Sequence, residues 1–536
     1  MENKTPKAPP LLPALLEMPV DQLKVDLASV DFATWVDTHI TLPEGPFSYR
    51  GHEFQREMYE EHHPHTITRK CTQVGVSTFS MLKAFWAAEK KKFTVMYFFP
   101  TATAVRDFSQ GRIKPMIEIN PHLLRVLKNT DDVDNVGLRR IGEGSLYCRG
   151  CQKLSQVISV PADFLIFDEV DEAPPRVKDR ALRRLDHSKH KWIMELSVPS
   201  IPGYGIDKEF LKSDQRNFLL KCPHCGEWNG VEDEFPECLV RKKDGEVILV
   251  CKKCRKPLDN QVGQWVPKYP DIKDCRGYHI SQLLSTTVNL AKLLEDFQET
   301  KHLDDFFNDR LGMPYVDAKH RLTEEQVLAC CRDYPMEEKA NFCTMGVDQG
   351  DKIHVIISRF EDGHRRIIWQ GVLDSFQELD LLMERFDIVA CVIDALPNQH
   401  SARDFANRFL GRVFMCYYNE HQKGEYKWDV DNSLVTVNRT ESLDYADSMI
   451  RSQETILPKT HYPEVQEFAE HWHNLVKKEI EDPETGAKKW TYIRVGPDHY
   501  AHADNYDNIA HSKYGRVRTL GCLGSQSRDD WSQMNR

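Results

Sequence analysis

Two CxxC knuckles fix the shape of a central stretch of this chain more tightly than any other feature. Cys222 and Cys225 stand in CPHC, and Cys251 and Cys254 in CKKC, with 25 residues between the pairs. Four thiolates at this zinc-ribbon spacing suit tetrahedral zinc with no open position, so the expected role is structural. The ion would fold a module too small to build its own core. With 15 cysteines and a start, MENKTPKAPPLLPALLEMP, too poor in basic residues for a signal peptide, reduced thiols and a cytoplasmic location are expected. His224, inside the first knuckle, is expected to be exposed. Cys148 and Cys151 have no partner pair nearby.

Around this module the periodicity alternates. TITRK is followed by the helical pattern STFSMLKAFWAAEKK, then FTVMYFF, a helix from about Ala102 and the apolar run before Asp168. That order reads as a parallel sheet flanked by helices. A second unit opens with three strand-like runs, FCTMGVD, IHVIISRF and RRIIWQGVL, then a helix, the strand DIVACVID and another helix, the element order of a ribonuclease H-like domain. At 536 residues the chain exceeds one core. The expected architecture is α/β: an N-terminal P-loop ATPase domain with a parallel sheet and a zinc-ribbon insertion, and a C-terminal ribonuclease H-like nuclease domain. The expected bounds are an arm over 1–40, a motor domain over 41–335 with the insertion at 218–262 and a helical bridge at 278–335, a nuclease domain over 341–524 and a mobile tail over 525–536. A content of 29% charged and 40% hydrophobic residues excludes fibrous and disordered classes. No apolar run approaches membrane-spanning length. The net charge of −11 works against bulk attraction to a polyanion, so any nucleic-acid contact must be local.

The run from Lys70 to Thr78, KCTQVGVST, follows a strand and opens a helix. Gly75 and Ser77 stand where a phosphate-binding loop places its second glycine and its magnesium-binding hydroxyl, while Val76 holds the usual lysine position and Lys70 the first glycine position. Lys70 can supply the missing charge from the other end of the loop. In FLIFDEVDE, Asp168 ends a buried strand and is a candidate for the magnesium shell, with Glu169 as the base that orients the attacking water. Asp171 and Glu172 read as loop charges. Ser197 to Ser200, a polar turn after an apolar strand, are candidates for sensing the γ-phosphate. In the second unit Asp348 and Asp394 end strands, as a two-metal nuclease requires. Asp504 and Asp507, one turn apart on an expected helix, are candidates for a third acid; Asp351 and Asp498 stand in reserve, and His499, His502 and His511 read as surface residues, with His502 able to approach the metals.

These motifs, together with FFPTATAVRDFSQGRIKPMIEINP, GYHISQLLS and DDFFNDRLGMPY in that order, resemble the large terminase subunits of tailed bacteriophages, most closely the lambda-like branch, over about residues 40–515. The resemblance implies a motor that moves double-stranded DNA into a procapsid through the portal protein, and an endonuclease that cuts concatemers, acting in the infected host cytoplasm. It implies ATP, Mg²⁺ or Mn²⁺, a small terminase subunit as partner and a homo-oligomeric ring on the portal. Carried over, Lys70, Gly75, Ser77 and Thr78 form the ATP loop, Asp168 the magnesium site, Glu169 the base, Ser197 to Ser200 the coupling motif, and Gln55 the adenine contact. The family's third nuclease acid falls near His502. An arginine finger is expected among Arg106, Arg112, Arg139 and Arg140. The competing readings are a host helicase–nuclease of DNA repair, which needs a second motor lobe not found between 200 and 340, and a zinc-ribbon DNA-binding or assembly protein with degenerate sites.

Overall fold

Short runs such as TVMYFF and FLIFD, buried along nearly their whole length, build the middle of the first sheet, as expected for strands covered on both faces. The computed structural model describes residues 31–128, 134–158, 160–481 and 487–514. Most of the expected arm and the whole of the expected tail lie outside them. The chain divides into two compact units, the first closing at Tyr315 and the second opening at Val316.

In the first unit, α1 (Phe32–His39) leads to β1 (His65–Lys70), α2 (Val76–Lys90), β2 (Thr94–Phe99), β3 (Gly144–Gly150), β4 (Phe164–Asp168), α3 (Pro175–Leu182), β5 (Trp192–Ser197), α4 (Gly205–Phe210), β6 (Arg216–Lys221), β7 (Gly263–Pro267) and β8 (Arg276–Ile280). Seven of these strands lie parallel in the order β6, β8, β1, β5, β4, β2, β3. The cysteine module is spliced between β6 and β7, which pair antiparallel with each other, so its entry and exit are both anchored at the sheet edge. The stretch expected as a helical bridge from 278 instead begins inside β8, because Gly277, Tyr278 and Ile280 are buried beside β1.

Helix α2 is buried almost all round and carries Lys83 into the core, with its Nζ donating to the Glu61 carbonyl at 3.2 Å among Phe32, Phe79 and Trp192. Burial depresses the ammonium pKa to about 8. Between pH 8 and the unfolded value of 10.5 the unfolded chain holds a proton that the folded chain has lost, so this residue's contribution to stability rises with pH across that window. Lys83→Met is therefore expected to stabilise the first unit by on the order of 1–3 kcal/mol below pH 8, with the advantage shrinking as pH climbs towards 10.5. Denaturant unfolding of both chains at pH 7 and pH 10 checks this.

In the second unit β9 (Cys343–Gln349), β10 (Ile353–Glu361) and β11 (His364–Leu373) form an antiparallel meander. After α5 (Phe376–Arg385), β12 (Ile388–Asp394) pairs parallel to β9, and after α6 (Gln399–Arg408), β13 (Val413–Tyr418) and β14 (Leu434–Val437) extend the sheet in parallel. Helices α7 (Arg439–Arg451), α8 (Pro463–His473) and α9 (His499–Tyr514) follow. Helix α9 crosses β9 at Gly346, where an added Cβ would lie 2.0 Å from the Ala503 carbonyl and 2.2 Å from the Asp507 nitrogen. Only glycine permits that approach. Among the described residues no helix is long and apolar enough to cross a membrane.

Candidate functional site

The carboxyl ends of adjacent parallel strands gather the first set of polar residues, the place where open α/β sheets bind ligands. Lys70 ends β1, Asp168 ends β4 and Ser197 ends β5, with Arg69 in register with Ser197 and Asp168 with Leu196. Gly75 caps α2 in the left-handed region (φ 76°), and Gln73 upstream of it is also left-handed (φ 58°), so the loop turns sharply into the helix. Lys70 Nζ donates to Glu169 Oε1 at 2.8 Å. Ser197 Oγ and the Val198 backbone nitrogen donate to Glu169 Oε2 at 3.1 and 3.2 Å. Glu169 itself is left-handed (φ 59°), a costly conformation for a side chain of this size. Burial disfavours a charged Lys70, but Glu169 and Asp168 outweigh it and raise its pKa.

Asp168 is buried, and that burial pushes its pKa to about 6 despite the opposing charge of Lys70. Tyr97 donates to its Oδ2 at 2.9 Å, while Oδ1 is buried without a hydrogen-bond partner. The Ser77 hydroxyl lies against this carboxylate, and the pair of oxygen groups fits a divalent cation. Gln55 donates to the Val74 carbonyl, which places it against the loop. Thr78 sits in the first turn, its backbone nitrogen donating to the Gly75 carbonyl at 3.1 Å. Asp171 departs from the reading as a loop charge: it is buried and accepts from the Ser200 nitrogen at 2.8 Å and the Ile206 nitrogen at 2.7 Å, tying the segment after Ser197 to the segment after Glu169.

The four knuckle cysteines bring their sulfurs within 4.8 Å of one another. Cys222 Sγ and Cys254 Sγ are 3.6 Å apart, and Cys225 Sγ and Cys251 Sγ 3.7 Å. A tetrahedron with metal–sulfur bonds of about 2.3 Å has edges of about 3.8 Å, so the set has the dimensions of a thiolate site. Asn229 Oδ1 accepts from the Lys252 nitrogen at 2.9 Å and ties the knuckles together. His224 is exposed and outside the cluster.

In the second unit Val347 pairs with Ile393, so Asp348 and Asp394 stand side by side on strands about 4.8 Å apart. Burial raises Asp394 to about 6, with the negative charge of Asp348 adding to it. His499 Nδ1 lies 2.9 Å from Asp348 Oδ2, and its ring stacks on His354 at 4.6 Å. Asp498, whose carbonyl accepts the first turn of α9, lies 3.3 Å from His502 Nε2; His502 Nδ1 in turn meets the Tyr418 hydroxyl at 3.2 Å. Burial opposes ionisation of Asp498, but His502 and Arg494 hold its pKa below the usual value.

Asp504 and Asp507 do not join this group. Both pair with Arg365, Asp504 through Nη2 and Asp507 through Nη1 at 2.7 Å, all with side chains at most 1% exposed, and Asp507 Oδ1 also accepts from Thr344 at 2.7 Å. The reason is helical geometry: His499, His502 and Tyr506 share the face towards Asp394, while 504, 507 and 511 turn about 140° away. The structure thus holds Asp504 and Asp507 on Arg365, and the acid it sets at the start of α9 with His499 and His502 is the reserve candidate Asp498. Its signal is the helix start after Gly496 and Pro497. Asp351 is exposed in the turn after β9.

Residues 45–266 match the family described as the phage terminase large subunit gpA, ATPase domain, and residues 275–385 the terminase large subunit gpA, endonuclease domain. The chain belongs to the phage terminase large subunits. The two matches together cover more than half of it, and the second stops short of Asp394. The terminase large subunit of Enterobacteria phage P21 is 24% identical over 221 residues, which are 37% of this chain and 34% of that relative, so the alignment spans about a third of the relative's length. Among solved structures, the large terminase of a thermophilic bacteriophage in complex with ADP matches at a TM-score of 0.28 and 12% identity, over 84% of this chain and 94% of its own. The ATPase domain of the Thermus phage P74-26 large terminase matches at 0.33 and 13%, over 50% and 95%. Membership rests on the two sequence matches and not on these distant neighbours.

Proposed function

We propose that this chain hydrolyses ATP to drive double-stranded DNA into a procapsid and cuts concatemeric DNA with a second, metal-dependent centre. The observation that carries the motor reading is the convergence of Lys70, Asp168, Glu169 and Ser197 on the carboxyl ends of three neighbouring strands. In this reading Gly75, Ser77 and Thr78 present the α2 N-terminus to the phosphates, Lys70 neutralises their charge, Gln55 faces the base, and Glu169 takes the proton of the attacking water. Asp168 and Ser77 would hold Mg²⁺, which would supply positive charge at the phosphates. Ser197 and Val198 hold the Glu169 carboxylate in place, and Asp171 carries any shift there to Ser200.

At the second centre Asp348, Asp394 and Asp498 would hold Mg²⁺ or Mn²⁺, and the chemistry such ions would supply is a lowered pKa for bound water and positive charge at the leaving oxygen. His499 orients Asp348 and His502 orients Asp498. Cys222, Cys225, Cys251 and Cys254 would hold a structural Zn²⁺. The partners of this reading are duplex DNA, the portal protein, a small terminase subunit and further copies of the chain in a ring, in the cytoplasm of the infected cell. DNA-stimulated ATPase activity together with Mn²⁺-dependent cleavage of plasmid DNA tests the whole; a chain with neither activity overturns it.

Cys251→Ser is expected to lower zinc content from one ion per chain to near zero and to destabilise the sheet edge that carries β6 and β7. Elemental analysis with thermal unfolding reads this, and full zinc content in the variant would remove the site.

A further inference from the structure

We propose that the exposed face of α3 and the turn after it is a contact surface for the phosphate backbone of duplex DNA. This rests on the motor reading above. From Arg176 to Lys191 the chain carries seven Lys and Arg residues against two Asp, in a protein whose net charge is −11. Helix α3 divides them by face. Val177 and Ala181 pack inward with Lys178, which is paired with Glu195 of β5 and with Glu209 of α4 at 3.2 Å. Arg176, Arg180 and Arg183 follow at helical spacing on the opposite side, all exposed, and Lys189 and Lys191 continue the exposed positive charge.

Unlike the basic stretches at Lys90–Lys92 and Lys252–Lys253, this stripe has no acidic partner within ion-pair distance among the described residues. Lys90 and Lys92 pair with Glu89 and Glu143 at 2.8 and 2.7 Å, and Lys252 and Lys253 of the knuckle with Glu234 and Glu227, both at 3.4 Å. Arg176, Arg180, Arg183, Lys189 and Lys191 form no ion pair among the described residues, although Asp179 and Asp186 lie on the same segment. Three long arginines spaced about 4.5–6 Å apart along the axis form a linear cationic row, which complements a linear row of phosphates. Arg also donates in a fork that fits phosphate oxygens. The segment starts seven residues after Glu169, and its buried face is joined to β5 through Lys178 and Glu195, so a polymer on the outer face is one helix away from the strand that ends in Ser197.

The test uses the full chain and a duplex of random sequence. Arg176→Gln, Arg180→Gln and Arg183→Gln are combined, since Gln keeps helix propensity, and the matching triple Lys variant preserves charge. The Gln triple is expected to lose more than tenfold in duplex affinity at low salt and to lower the slope of log affinity against log salt by about 2.7, at about 0.9 per phosphate contact. Turnover of ATP without DNA stays at the wild-type level while its stimulation by duplex falls. The Lys triple keeps the salt slope. Unchanged affinity and slope in the Gln triple overturn the proposal. So does loss of DNA-free turnover, which would place the stripe at a neighbouring copy's ATP site, or loss of portal binding with DNA affinity intact, which would mark an acidic protein as the occupant. A wild-type chain that binds no duplex overturns both this surface and the packaging reading, whereas equal binding by wild type and Gln triple removes the surface alone.

Discussion

Glu169→Gln is expected to lower ATP turnover by about 10²–10⁴-fold while ATP still binds. The substitution keeps the shape and the hydrogen bonds from Ser197 and Val198 but removes the charge that accepts a proton. It also frees Lys70 from its ion pair, so affinity for a polyanionic nucleotide is retained or raised. The side chain is 37% exposed, and no large change in stability accompanies the loss. Phosphate release measured beside equilibrium nucleotide binding reads the two effects apart. Wild-type turnover in the variant would remove Glu169 from the chemistry and reopen the reading of the chain as a protein with a degenerate motor.

The second large effect separates two kinds of aspartate at one helix. Asp498→Asn is expected to reduce metal-dependent cleavage by more than about 100-fold with the fold intact, as when a group at a metal centre loses its charge. Asp504→Asn is expected to cost on the order of 3–5 kcal/mol of stability, because it leaves half of Arg365 buried without its counter-charge. Plasmid cleavage and denaturant unfolding on the same preparations distinguish them. If Asp504→Asn folded normally and lost only cleavage, while Asp498→Asn cut DNA as well as wild type, the third acid would return to the interior of α9.

Much of this arrangement is legible in the chain because strands and knuckles are local patterns. FLIFDE places Asp168 at a strand end whatever the rest of the fold does, and CxxC spacing brings two sulfurs to one turn. The three runs that open the second unit form the antiparallel meander expected of them. Long-range partners are a different matter. Nothing near Asp504 in sequence announces Arg365, which approaches from a strand 139 residues away, so a conspicuous pair of acids looks available for metal when it is already neutralised. Asp171 reads as a loop charge for the same reason: its partners, Ser200 and Ile206, lie beyond an intervening strand. Residue 278 reads as helix because β8 is short and its partner, β1, lies about two hundred residues earlier.

The crossing of α9 over Gly346 also sets an order in time. Strands β9 and β12, with Asp348 and Asp394, leave the ribosome about a hundred residues before Asp498 and the helix that follows it. At about 5–20 residues per second that is a delay of about 5–20 s. For this interval a nascent chain has its entire first unit and the strands that carry Asp348 and Asp394, but not the helix that would complete the proposed second centre. In the packaging reading the cutting centre is thus the last part of the molecule to form, and a chain halted before residue 498 is expected to hydrolyse ATP without cutting DNA.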